Sequence, residues 1–332
     1  MLKLRKLSTI FLSACLVLGA NSKAMSVENG LVVQGDENAV YLFDGTGNAF
    51  LYSPYIVFTA AHGIPFWDKR NLSVRNSMGQ RADVEKILIS PDYRERVVDR
   101  KSIENRTSIT SRYRDFAILI LKTPLKMTKK VSLVTPLELD QIISNKNPVF
   151  MIGYSYHNSN RKIDGVARRL TGELISSDEA KIIFDSYLRD GHPNWAPKQA
   201  KYDLGPINLV QSESGGSGCD GDSGAGVYAM RGDEKIYLGP YGSHSMGVKN
   251  CGEPGFWGPM GNVSNIEPVF NHLDLISSAE IYVTEKITKE NEERLRAERE
   301  LSKKKTIICV KGNQSKKVTS VKPKCPKGFK QR

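Results

Sequence analysis

Ser223 stands in Gly218-Cys219-Asp220-Gly221-Asp222-Ser223-Gly224-Ala225-Gly226, with a glycine two residues before it and another directly after. A hydroxyl so placed can attack a carbonyl carbon, and residues without Cβ let that carbonyl approach backbone N–H groups closely. Gly221 and Ser223 are the candidate donors to the developing oxyanion. The plain alternative is a polar turn, since Gly, Asp and Ser are ordinary turn residues. A serine hydroxyl needs a base to become a nucleophile, and an imidazole needs a fixed partner to act as one. The chain has five histidines, His62, His157, His192, His244 and His272. His62 has the most informative setting, because it ends the run Ile56-Val57-Phe58-Thr59-Ala60-Ala61. Asp115 is the matching carboxylate, directly before the apolar run Phe116-Ala117-Ile118-Leu119-Ile120-Leu121. Asp92 and Asp99 are rivals that precede no comparable run.

The elements implied are two strands. The β-prone run before His62 places the imidazole where a strand gives way to a loop. The run after Asp115 draws the carboxylate toward the interior, where it requires a hydrogen-bond donor. His62, Asp115 and Ser223 follow in that order along the chain. With these surroundings they resemble the chymotrypsin/trypsin family of serine proteases. The resemblance implies Ser223 as nucleophile, His62 as general base and then acid, and Asp115 as the group that orients the imidazole. It also implies an all-β fold of two antiparallel six-stranded β-barrels, with the active site in the cleft between them. No metal or organic cofactor is required by that chemistry.

A second segment carries the same resemblance: Ser245-Met246-Gly247-Val248-Lys249-Asn250-Cys251, followed by Pro254-Gly255-Phe256-Trp257. In the family such a segment binds the substrate backbone and lines the primary specificity pocket, which implies substrate-binding roles for Ser245, Met246, Gly247 and Gly255. Cys219 and Cys251 match the family's disulfide beside that pocket. Ser217 falls at the pocket base, where trypsin-like members carry an aspartate, so an apolar or aromatic side chain is expected before the cleaved bond. Asp220 near the rim leaves a basic residue as the alternative. Asp222 matches the aspartate that pairs with a newly made α-amino group, and Leu31-Val32-Val33-Gln34-Gly35 resembles the segment that supplies it. Cleavage would then fall between Gly30 and Val32. Three positions depart from the pattern: Gly63 replaces a cysteine, Met246 a tryptophan, and Ala225-Gly226 the usual Gly-Pro.

The 332-residue chain is 39% hydrophobic and 25% charged, enough for one large core or two smaller ones. Short β-prone runs such as Val149–Tyr154 and Lys181–Phe184, separated by turn residues, fit an all-β reading of residues 32–278. Lys3, Arg5 and Lys6 precede an apolar run from Leu7 to Leu18 and then small residues. Residues 1–24 therefore read as a signal peptide cut near Ala20 or Ala24, with 25–31 as a short propeptide. Cys15 opens an alternative, lipidation at Leu12-Ser13-Ala14-Cys15. The expected location is secreted or extracytoplasmic, with envelope association open.

Charge is concentrated at the C-terminus. Residues 303–332 hold ten lysines, one arginine and no acid, and the first 24 residues carry +4, so of the formal +12 residues 25–302 carry −3. The basic pI is no sign that the catalytic region binds nucleic acid. Residues 279–305 read as a charged helical linker: Thr288–Leu301 is rich in helix formers with opposite charges three and four apart, and Ile281, Val283 and Ile287 are the residues expected to anchor its start. Residues 306–332 read as a basic tail, a hairpin around Gly312-Asn313 closed by a Cys309–Cys325 disulfide. Protein or peptide substrates are the expected partners of a monomer. For the tail the expected partner is an anionic envelope polymer or membrane surface, against the alternative of a solvated tail that binds nothing. A catalytically silent, protease-like binding protein of the envelope is the alternative for the whole chain.

Overall fold

The computed structural model describes residues 25–26, 30–42, 47–66, 72–76, 78–97, 110–128, 130–157, 162–176, 178–179, 182, 207–211, 216–217, 221–244 and 263–332. Six antiparallel strands close the first barrel: β1 (Ala39–Leu42), β2 (Asn48–Ser53), β3 (Ile56–Thr59), β4 (Ser73–Asn76), β5 (Arg81–Ile89) and β6 (Ala117–Leu121). Around the ring the order is β6-β3-β2-β1-β4-β5. Alternation along the strands explains why β3 and β6 are apolar at nearly every position. Val57, Ala117, Leu119 and Leu121 fill the barrel interior with Val40, Leu51 and Val74. Ile56, Phe58, Ile118 and Ile120 face the other way, into a core shared with the second half of the molecule. A strand buried on both faces reads as a continuous apolar run.

After the short helix α1 (Pro136–Ser144), capped by Thr135 and Glu138 bonding to each other's backbone N–H, the second half forms. Its strands are β7 (Pro148–His157), β8 (Lys162–Ser176), β9 (Ile207–Gln211), β10 (Gly226–Arg231), β11 (Glu234–His244) and β12 (Val263–Ile266). They run in the order β11-β10-β7-β8-β9-β12, and pairing of β11 with β12 closes the second ring. Rings from both halves meet at the interface. Phe50 stacks on Tyr237 at 4.0 Å, Phe58 lies 5.8 Å from the same Tyr237, and Phe50 meets Tyr228 edge-on at 5.7 Å. Complete burial pushes the Tyr228 and Tyr237 hydroxyls well above the ordinary tyrosine pKa, so these rings stay neutral. The fold is thus the expected all-β pair of barrels.

Two local expectations need correction. Ile182, expected within a strand, is helical and exposed, as are Asp178 and Glu179. The cause is a capping box: the Glu179 N–H donates to Ser176 Oγ, and the Ser176 N–H donates to the Glu179 carboxylate. The C-terminal helix α2 spans Leu273–Ser302 and starts well before residue 279. It docks through Ile276, Ala279 and Val283, while Ile281 and Ile287 are exposed. Spacings of three and four from Ile276 keep to one helix face, and Ile281 lies off it. Beyond α2, β13 (Lys305–Lys311) and β14 (Gln314–Ser320) form the expected hairpin, with Gly312 at φ 56°, and β15 (Lys330–Gln331) adds a third strand to β13. Cys309 and Cys325 form a disulfide. No helix among the described residues is long and apolar enough to cross a membrane.

Candidate active site

His62 and Asp115 are brought together by strand register. β6 pairs antiparallel with β3, with Ala117 opposite Thr59, so extending the pairing past both strand ends brings Asp115 level with Ala61, beside His62. His62 opens a 3-10 turn over Ala61–Phe66, and both side chains are nearly buried. Asp115 Oδ2 lies 2.7 Å from His62 Nδ1, and Oδ1 accepts the His62 backbone N–H at 2.9 Å. One carboxylate therefore holds both the ring and the main chain of the same histidine. A carboxylate accepts and does not donate, so the proton sits on Nδ1, and Nε2 is left as an acceptor. Ser223 Oγ lies 2.9 Å from that Nε2. The hydroxyl also lies 3.1 Å from the Gly242 carbonyl, a second acceptor for the same proton.

Ser223 reaches this point because its loop is pinned to both barrels. Gly224 has φ 87°, and a Cβ there would lie 2.1 Å from the Asn48 carbonyl oxygen and 2.3 Å from Thr59 Oγ1. Only glycine fits this approach. The Gly224 N–H donates to the Tyr241 carbonyl at 2.7 Å, and the Asn48 N–H donates to the Ser223 carbonyl at 2.8 Å. Asn48 does more through its side chain. Its Nδ2 donates to the carbonyls of Gly221 at 2.7 Å and Tyr154 at 2.9 Å, while Oδ1 accepts the Tyr154 N–H at 2.6 Å. A strand of the first barrel, a strand of the second and the nucleophile loop thus meet on one fully buried amide.

The other expected site residues are placed as follows. Gly221 has φ 95°, within the same loop. Asp222 is wholly buried, and its carbonyl accepts the Ala225 N–H. Val32 is exposed on a two-residue strand, Leu31–Val32, that pairs with Arg168 and Arg169 of β8. Ser217 lies in the strand Gly216–Ser217, paired in parallel with Met25–Ser26. Ser245, Met246, Gly247, Gly255, Cys219 and Cys251 lie outside the described residues, as do residues 1–24 with Cys15 and the rival Asp99. Asp92 is exposed in a turn.

Sequence reasoning passed over Asn48, Arg114, Glu267 and His272. Asn48 carried a signal: it shares a strand face with Phe50 and Tyr52, and a polar residue on an otherwise aromatic face must find buried partners. Arg114 carried none, since a positive φ of 55° in a non-glycine residue is decided by its surroundings. Glu267 and His272 are buried, with His272 Nε2 2.9 Å from Glu267 Oε1.

No curated protein matches the chain. The family model described as trypsin matches residues 35–269, a stretch that contains His62, Asp115 and Ser223 together with both barrels. The chain belongs to the trypsin family.

Proposed function

We propose that this protein is an exported serine endopeptidase working through an acyl-enzyme. The observation that carries the proposal is the line of contacts from Asp115 through His62 to Ser223, at 2.7 and 2.9 Å. As Ser223 Oγ attacks the substrate carbonyl, its proton passes to His62 Nε2, and Asp115 stabilises the imidazolium that forms. Backbone N–H groups of Gly221 and Ser223 receive the oxyanion. The imidazolium then protonates the leaving amine, and water, activated by the same base, releases the acyl group. Ser217, with Ser245, Met246, Gly247 and Gly255, forms a pocket without charge at its base, which favours an apolar or aromatic residue before the cleaved bond. A Cys219–Cys251 disulfide braces that pocket.

Activation follows removal of residues up to 30 or 31. Exposure of Leu31 and Val32 supports access to that bond, and the complete burial of Asp222 suits a carboxylate that receives an α-amino group. The protein acts as a monomer outside the cytoplasm, where its basic tail holds it on an anionic envelope polymer. The test of the catalytic reading is covalent labelling by a fluorophosphonate. Processed protein should label at Ser223 and lose labelling in Ser223→Ala and His62→Ala. Failure of folded, processed protein to label would instead make the chain a silent binding member of its family.

A further inference from the structure

The loop that carries Asp115 is held from behind by a second histidine–carboxylate pair. Glu267 and His272 have side chains only 5% and 2% exposed, and they face each other at 2.9 Å. Each also grips one neighbour of Asp115. Arg114 Nη1 lies 3.4 Å from Glu267 Oε1, an oxygen that also accepts from Asn271 Nδ2 at 3.1 Å. On the other side, the Phe116 ring stacks on the His272 ring, with centroids 4.3 Å apart and planes within 5°. The backbone between the two grips is contorted. Arg114 has φ 55°, and the Phe116 N–H donates back to the Arg114 carbonyl at 2.8 Å, so Asp115 is the middle residue of a three-residue turn. A non-glycine residue at positive φ is strained and persists only where its surroundings over-determine it. Glu267 and His272 supply that constraint from the second barrel and the start of the C-terminal helix: the Glu267 N–H is bonded to the Pro240 carbonyl, and Val269 in the connecting turn is fully buried.

We infer that Glu267 and His272 are positioning residues for the catalytic carboxylate: together they clamp Arg114 and Phe116 and thereby fix the orientation of Asp115 toward His62. The inference rests on the proposed roles of His62, Asp115 and Ser223 and adds two residues that touch neither substrate nor reacting atoms. Among the described residues, Arg114, which lies over the Tyr113 ring, stands behind the turn with Glu267 and His272, and His62 stands in front. Loosening the clamp would let the carboxylate swing. The imidazolium would then lose part of its counter-charge.

The experiment compares wild type with Glu267→Gln, which keeps size but removes the charge facing Arg114, and His272→Phe, which keeps a ring to stack on Phe116 but removes the nitrogen facing Glu267. The first readout is the low-field NMR proton on His62 Nδ1, assigned by its loss in His62→Ala; it reports the contact with Asp115 whether or not the protein cleaves peptides. Each variant should broaden the resonance or move it upfield. The second readout is kcat and KM on a short peptide. A displacement of the carboxylate by a fraction of an ångström should lower kcat by roughly tenfold or more with little change in KM. An unaltered His62 proton in both folded variants would overturn the clamp. Loss of activity in wild type with the His62 proton present would instead count against the proposed function alone. Should one variant fail to fold, the other carries the comparison.

Discussion

Asn48 concentrates at one residue the problem this site has to solve. The Ser223 loop belongs to the second barrel and His62 to the first, so the geometry of the candidate site depends on a bond between halves that is short and cannot slide. An asparagine side chain meets the need because it donates and accepts at once, and Asn48 uses both capacities against Gly221 and Tyr154. Removing it takes a donor from two carbonyls and an acceptor from one N–H where the barrels join, and a hydrogen bond left unmade costs about 1–3 kcal/mol. Asn48→Ala should therefore lower the unfolding free energy by about 3 kcal/mol or more and slow fluorophosphonate labelling. Asn48→Asp is the sharper comparison, because it has the same shape but cannot donate while ionised. It would set a buried carboxylate against the carbonyls of Gly221 and Tyr154, so urea unfolding should find it less stable at neutral pH than Asn48→Ala. Equal stability of the two would mean that the side chain fills space and does not clamp.

At the scale of elements, the two strands beside the site were legible because their runs are apolar at nearly every position, and the register between them delivers Asp115 to His62. The C-terminal helix was legible in its solvated half, where opposite charges alternate, and less so in its docked half. Its anchors at Ile276, Ala279 and Val283 form a stripe of mixed small and large residues before the charged region, whereas Ile281 and Ile287 are apolar but face water. Docking also depends on a polar cluster that no one-dimensional pattern reveals. Lys286 bonds Glu85 of β5 and the carbonyls of Leu121 and Lys122, and the Tyr282 hydroxyl bonds Glu85 at 2.8 Å. The hydrogen bond from Lys286 holds the Glu85 carboxyl below its ordinary pKa; burial opposes it, and lesser help from the Tyr282 hydrogen bond and the Lys286 charge adds to the lowering. A carboxyl depressed on folding contributes stability that is present above its unfolded pKa and lost as pH falls through the folded one. The difference in stability between wild type and Glu85→Gln should accordingly persist at neutral pH, stay under about 1 kcal/mol for so exposed a group, and vanish below the ordinary glutamate range. Thermal melts at neutral and acid pH check this; a difference that grows on acidification would refute it.

At the scale of the whole molecule, chemistry and charge are separated. The barrels and the docked half of α2 hold the site, and residues 287–302 continue as a helix exposed at every position, about 24 Å long at 1.5 Å per residue. At its end stands a small sheet whose strand order is β14-β13-β15, tied by one disulfide; residues 303–332, which include it, carry ten lysines and an arginine without an acid. The hairpin and its bridge were legible because a Gly-Asn pair separates two β-prone runs and the two cysteines flank them. The third strand was not, since Lys330–Gln331 is too short to show a pattern. Like charges at this density repel, and so small a sheet has little apolar core to oppose them; Cys309 is its one fully buried residue. The disulfide offsets this by closing a loop between residues 16 apart, which is worth about 3 kcal/mol. If the tail serves retention and not catalysis, Cys309→Ser/Cys325→Ser and deletion of residues 303–332 should both leave kcat/KM on a short peptide unchanged. Deletion should abolish binding to an anionic polymer such as a teichoic acid. The cysteine variant, which keeps every charge, should bind more weakly but with the same steep loss as salt rises, because screening acts on charge and the disulfide acts on its arrangement. Binding by the deleted protein equal to that of the full chain at low salt would remove the tail from the account of where this protein resides.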